Sequence, residues 1–146
     1  MSPLLSPHIA TLILTNCDLP RARLKGTWGI VDVRDCAHAA TLLSTRDKLI
    51  DPQRIAIRGR SSGGFTVLAA VCDYPEVFTA ATSLYGISDL VKLEEFTHKF
   101  ESQYCNTLLG GTSKEVPEVY RERSPVHKAD KIKAPLLVRL PHSACV

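Results

Sequence analysis

The chain has 146 residues, of which 45% are hydrophobic and 23% charged, and its formal net charge at pH 7 is +3. This length suits one domain with a sizeable core, and the composition is typical of a soluble globular domain. The basic residues are dispersed among acids, and the nearest cluster, at positions 21, 23 and 25, has no interleaved aromatic residues. The charge pattern therefore disfavours nucleic-acid binding.

The cysteines favour a reducing compartment. The five of them are an odd number and show no C-x-x-C spacing. This pattern indicates free thiols, and hence a cytoplasmic protein, rather than a disulfide framework. Cys36 and Cys72 lie within apolar helical patterns, so we expect both to be small core residues.

The sequence predicts neither membrane association nor a metal or cofactor. The apolar run 9–14 is too short to span a bilayer and lacks the flanks of a signal peptide, but it can form a strand at the edge of a sheet. No pair of histidines has the spacing of metal ligands.

Helix and strand patterns alternate along the chain. Helices are predicted over 33–49, 62–73 and 90–100, and strands over 54–58, 79–85 and 135–140. Asp32 is expected to cap the first helix, Leu90 and Phe96 to share the apolar face of the third, and 110–125 to be irregular. Strands separated by helices pair in parallel, so we expect an α/β fold with three or four mainly parallel strands and helices on both faces.

The stretch 59–64 reads Gly-Arg-Ser-Ser-Gly-Gly and joins the strand over 54–58 to the helix over 62–73. A strand, a G-x-S-x-G turn and a helix in this order are typical of the nucleophile elbow of serine hydrolases. Gly59, Gly63 and Gly64 let the strand and helix approach closely, because they carry no Cβ. Ser61 is then the predicted nucleophile, and the backbone N–H of Ser62 the predicted donor to an oxyanion.

Two aromatic residues and one charged run are assigned structural roles. Trp28 and Tyr85 are expected to be core or pocket-wall residues. The run 121–123, which reads Arg-Glu-Arg, is expected to form weak ion pairs at the surface.

Several further motifs agree in order as well as in residue type. They are Gly26, Trp28-Gly29, Val31-Asp32-Val33, Asp51-Pro52, the elbow, Tyr74-Pro75, Ser83-Leu84-Tyr85-Gly86, Ser88-Asp89-Leu90, Tyr120 to Pro125 and Ala134-Pro135-Leu136-Leu137. Together they resemble the catalytic domain of the prolyl oligopeptidase family, especially its dipeptidyl-peptidase and acylaminoacyl-peptidase-like members. The resemblance implies a partial α/β-hydrolase fold over 26–140, flanked by non-family tails over 1–25 and 141–146. It also implies a serine peptidase that cleaves short peptides through an acyl-enzyme on Ser61, without a cofactor.

The acid and histidine of a catalytic triad are not identified. In this family they follow the serine in that order, yet the chain after the last strand reads Pro-His-Ser-Ala-Cys-Val and contains no aspartate. Asp89 is expected to bind nearby backbone amides, and His142 to be solvated. The remaining histidines, His8, His38, His98 and His127, are read as surface or tail residues.

Two other functional readings remain open. The chain could be a catalytically inactive, truncated remnant that lacks the acid and histidine, or a hydrolase of the carboxylesterase type. In either case the expected sheet has an unpaired edge, so we expect a homo-oligomer or a partner subunit to cover it.

Overall fold

The computed structural model describes residues 10–14, 21–96 and 99–140. Within these ranges the strands are β1 (Ala10–Leu14), β2 (Ile55–Arg60), β3 (Ala80–Leu84) and β4 (Leu136–Arg139). The α-helices are α1 (Arg21–Leu24), α2 (Val31–Thr41), α3 (Ser62–Asp73), α4 (Leu90–Phe96), α5 (Lys99–Leu109) and α6 (Pro117–Arg123). A π-helical segment, Leu42–Arg46, continues α2, and a 3₁₀ helix, Pro125–Lys131, follows α6.

The strands form one parallel sheet in the order β1-β2-β3-β4. The α/β class and the parallel pairing predicted from the sequence are therefore confirmed. The apolar run near the start of the chain supplies the edge strand β1, as the sequence allowed. The five residues of β1 pair with Ile55 to Gly59 of β2.

Within the described residues, helices cover one face of this sheet, and not both faces as the sequence predicted. Ile55, Ile57 and Ala81 are buried on that face, where α3 lies on β2 and β3 and contacts α2 and the 3₁₀ helix. Strands that follow one another across a sheet with right-handed crossovers send each connection to the same side. On the opposite face, within the described residues, Arg58 and Leu137 are exposed.

Helix α3 joins the two hydrophobic clusters of the fold. Its residues Val67 and 69–71 pack into a cluster with α2 and the sheet, whereas Phe65 belongs to a second cluster with Trp28, Leu90 and Tyr120. Residues 63–72 are all buried, as expected for a helix that is apolar on most sides. Cys36 and Cys72 are buried core residues, as predicted.

The start of α2 differs from the prediction. The helix begins at Val31, so Asp32 lies inside its first turn and does not occupy the N-cap position. The Asp32 carboxylate instead reaches back and accepts a hydrogen bond from the Gly29 backbone N–H, at 2.7 Å. Gly29 has a φ of +83°, which a residue with a Cβ rarely adopts, and this conformation brings its N–H towards Asp32.

Two other segments also differ from the prediction. The region 110–125 contains α6, which starts at Pro117; proline suits the first helical turn because its missing N–H would have no partner there. Phe96 was expected on a buried face, yet α4 ends at this residue and its side chain is 81% exposed. The predicted helix continued through Thr97, which lies outside the described residues.

Buried polar groups hold the helices after β3 together. The Tyr120 hydroxyl lies 3.2 Å from each of three oxygens, those of Glu94, Asn106 and Gly111. Burial, followed by the charge of Glu94, raises the pKa of Tyr120, so the phenol is neutral in this network. Ser124 donates to the Tyr120 carbonyl at 2.6 Å and accepts from the Leu90 N–H at 3.0 Å. These bonds fix α6 to the start of α4.

No helix within the described ranges is both long and apolar enough to cross a membrane.

Candidate active site

Ser61 is the single residue between β2 and α3, and its backbone is strained. Its φ is 54° and its ψ is −121°, a region that non-glycine residues avoid at a cost of about 1–3 kcal/mol. Two hydrogen bonds hold this geometry: the Ser61 N–H donates to the Leu84 carbonyl at 2.9 Å, and the Phe65 N–H donates to the Ser61 carbonyl at 3.0 Å. The Ser61 side chain is exposed at the carboxyl end of the strand.

The turn leaves no room for a Cβ at two of its glycines. A Cβ on Gly59 would lie 2.2 Å from the carbonyl oxygen of Gly63. A Cβ on Gly64 would lie 2.7 Å from the Cα of Gly86, in the loop after β3. The Ser83 hydroxyl donates to the Gly64 carbonyl at 3.1 Å and fixes this second contact. Strand, turn and helix therefore approach as closely as their backbones allow.

The first turn of α3 faces the position of the serine. The first N–H groups of an α-helix have no partner within the helix, and they carry the positive end of its dipole. Ser62, the first residue of α3, is exposed. Its N–H is therefore suited to binding an anion that forms beside Ser61.

A general base is not found next to Ser61 in the part of the chain that the structure describes. Within that part, the Ser61 hydroxyl makes no hydrogen bond. His38 on α2 and His127 on the 3₁₀ helix are exposed, as expected for surface residues. The other histidines, His8, His98 and His142, lie outside the described residues.

Asp89 has a structural role. Its Oδ1 accepts hydrogen bonds from the N–H groups of Val91, at 2.9 Å, and Lys92, at 3.2 Å. The prediction that Asp89 binds nearby amides is confirmed, since these contacts cap the start of α4.

Within the part of the chain that the structure describes, Arg123 does not form the surface ion pair expected for it. Its side chain is half-buried and donates to the carbonyls of Trp28 and Gly26, each at 3.0 Å. Burial lowers the pKa of Arg123, while the nearby Asp32 carboxylate acts in the opposite direction. Arg123 thereby holds the loop that places the Trp28 ring 4.5 Å from that of Phe65, one turn after Ser61. Trp28 is a core residue, in agreement with the sequence.

Sequence reasoning missed the contact between α2 and the start of α3. Thr66 donates to the buried Asp32 carboxylate at 2.7 Å. This bond connects two residues 34 positions apart, so no local pattern could reveal it. Its effect is to tie the N-terminal half of α3, and with it the serine turn, to the helix on its flank.

The described residues contain no group of three or more His, Cys, Asp or Glu side chains that could hold a metal ion.

A parallel sheet with helical crossovers, and a strained serine between a strand and a buried helix, define the class of α/β-hydrolases. Within this class the chain belongs to the prolyl oligopeptidase family, whose sequence profile matches residues 21–140.

Similar proteins agree with this assignment. The dual function macrocyclase-peptidase POPB of Amanita bisporigera is 36% identical over 96 residues, which cover 64% of this chain and 13% of that protein. The crystal structure of a puromycin hydrolase is 41% identical with a TM-score of 0.74, over 81% of this chain and 18% of its own. A Mycobacterium tuberculosis puromycin-hydrolyzing peptidase is 49% identical with a TM-score of 0.72, over 80% and 18%. The chain thus spans less than a fifth of each of these relatives.

Proposed function

We propose that this chain is part of a serine peptidase that hydrolyses short peptides, with Ser61 as its nucleophile. The observation that carries the proposal is the strained backbone of Ser61, which presents an exposed hydroxyl at the N-terminus of α3. Strain of this kind persists where the surrounding structure fixes it, and it is concentrated at functional sites. The family provides independent support.

In the proposed reaction the Ser61 oxygen attacks the carbonyl carbon of the peptide bond. The carbonyl oxygen becomes an oxyanion beside the Ser62 N–H, the C–N bond breaks, and the amine leaves with a proton. Water then hydrolyses the ester on Ser61 and restores the hydroxyl. Gly59, Gly63 and Gly64 serve the turn that holds the two serines.

A catalytically inactive remnant is the second candidate. A serine hydroxyl needs a base that takes its proton, and removing triad members costs several orders of magnitude in rate. The observation that favours this candidate is the absence of any hydrogen bond to the Ser61 hydroxyl within the described residues. Two of the three relatives named above are peptidases by name, so a carboxylesterase is the less favoured reading.

Labelling with an uncharged fluorophosphonate probe distinguishes the two candidates. We expect the wild-type chain to label and Ser61→Ala not to label, because the probe reacts with an activated serine. Ser62→Ala is the matched control: it removes the neighbouring hydroxyl but keeps the backbone N–H, so its labelling rate should stay within about twofold of wild type. Labelling that persists in Ser61→Ala would exclude Ser61 as the nucleophile. A folded wild type that does not label would support the remnant.

The substrate, the domain bounds and the compartment are part of the same proposal. We assign the catalytic domain to residues 26–140, flanked by 1–25, which contribute β1 and α1, and by 141–146, in a cytoplasmic protein whose substrates are peptides. Two of the solved relatives are named for puromycin hydrolysis, so puromycin is a reasonable first small substrate for an assay.

We further propose that a second copy of the chain covers the free edge of the sheet. Within the described residues β4 pairs only with β3, and Leu137 and Val138 on it are 64% and 45% exposed. Open strand edges with apolar residues promote pairing between chains. Light scattering should therefore show dimers or larger species, and Val138→Lys should shift them towards monomer. A soluble wild-type monomer that unfolds cooperatively in calorimetry would contradict this.

A further inference from the structure

Arginine side chains gather on the open face of the sheet beside Ser61. Arg60 is the last residue of β2, and Arg58 projects from the same face two residues earlier. The register pairs Arg60 with Leu84 of β3, and Leu84 with Arg139 of β4. Because laterally paired residues of a parallel sheet project to the same side, Arg139 lies in the same row as Arg60, two strands or about 10 Å away.

These arginines have no acidic partner among the residues that the structure describes. All three are exposed, and none of them forms an ion pair within the described residues. The described positions of this face also contain no Asp or Glu: they are Ala56, Arg58, Arg60, Ala80, Thr82, Leu84, Leu137 and Arg139. The described part of this face therefore presents positive charge without a compensating acid at the end of the sheet where Ser61 lies.

Tyr85 orients the arginine next to the nucleophile. The Arg60 guanidinium carbon lies 5.6 Å from the centroid of the Tyr85 ring, within the range of a cation–π contact. Tyr85 has a φ of 54°, and its N–H donates to the Arg139 carbonyl at 2.8 Å, which fixes the turn after β3. A stacked guanidinium keeps its N–H groups at its edges, where they can bind a carboxylate with two parallel hydrogen bonds.

From this arrangement we propose that Arg60, supported by Arg139, selects peptides that carry a carboxylate close to the bond to be cleaved. An extended peptide advances about 3.4 Å per residue. The row of about 10 Å from Arg60 to Arg139 is therefore as long as about three residues of a peptide whose scissile carbonyl lies at Ser61. The carboxylate is either the C-terminus of a short peptide or an Asp or Glu side chain. This inference rests on the proposed function, because it names the substrate class of the Ser61 site.

The test compares the affinities of matched ligands. They are measured in nuclear magnetic resonance titrations that follow the chemical shifts of the backbone amides of residues 59–64. One pair is acetyl-Ala-Ala-Ala as its acid and as its amide; the other is acetyl-Ala-Glu-Ala-amide and acetyl-Ala-Gln-Ala-amide. We expect the carboxylate member of at least one pair to bind about three- to fivefold more tightly, as for a partly exposed ion pair, and high salt to reduce the difference. The pair that shows the difference identifies the source of the carboxylate.

Arg60→Gln should remove the preference, and Lys131→Gln should keep it. Lys131 is an exposed cation at the end of the sheet where the strands begin, so its loss changes the net charge equally without touching the arginine row. Equal binding of acid and amide in both pairs, or a preference that survives in Arg60→Gln, would overturn the inference. Fluorophosphonate labelling of the same samples reports on Ser61 separately, so a failed nucleophile and a failed carboxylate site give different results.

Discussion

Phe65→Ala should lower the free energy of unfolding by about 3–5 kcal/mol, the usual cost of removing a buried phenylalanine ring. Phe65 is 0% exposed and contacts the Trp28 ring, and a Cβ on Gly29 would lie 2.9 Å from its ring. Because these neighbours already touch the ring, the loop that carries Trp28 and Gly29 can fill only part of the cavity that the substitution leaves. Urea denaturation, followed by circular dichroism and by the fluorescence of the only tryptophan, measures the effect.

Phe96→Ala is the matched control for this prediction. It removes the same atoms from a side chain that is 81% exposed, so stability should change by no more than about 0.5 kcal/mol. Two variants with equal losses would show that Phe65 is not part of the core that supports the serine turn.

Gly59→Ala should disrupt the serine turn and abolish labelling of Ser61. The added methyl group would lie 2.2 Å from the Gly63 carbonyl oxygen, so β2 and α3 would have to separate. Overpacking usually costs about 1–3 kcal/mol, and here backbone meets backbone, so we expect the upper end of this range or more. Labelling rate and urea denaturation, measured on the same preparation, test the prediction.

Gly111→Ala provides the comparison. Its new Cβ would meet the flexible Glu115 side chain at 3.3 Å, which can move aside, so stability should change by less than about 1 kcal/mol and labelling should persist. Normal labelling in Gly59→Ala would contradict the close approach at the turn. If Gly59→Ala does not fold, Gly64→Ala tests the same approach on the side of Gly86.

Local patterns were sufficient for the centre of the fold. The helix predicted over 62–73 coincides with α3, because an almost uninterrupted apolar run after two glycines has few alternatives to a buried helix. The predicted ends of the strands before and after it differ from the observed ends by at most two residues. The pattern was less informative where proline can either break or begin a helix: the region 110–125 was predicted to be irregular, but Pro117 within it starts α6.

The candidate site also has a part that local sequence predicts and a part that it does not. Its serine turn was predictable, since G-x-S-x-G between a strand and a helix constrains the backbone within six residues. The contacts that hold the turn in place were not, because they join distant parts of the chain. Asp32 with Thr66, and Arg123 with the carbonyls of Gly26 and Trp28, are examples.

The sequence by itself therefore determined the parallel α/β class, the buried helix and the position of the candidate nucleophile, because each depends on neighbours along the chain. The tertiary structure decided which face of the sheet the helices cover and which polar groups support the turn. It also placed Arg60 and Arg139 in one row. Those features depend on strand order and register, which arise only when segments far apart in the sequence pack together.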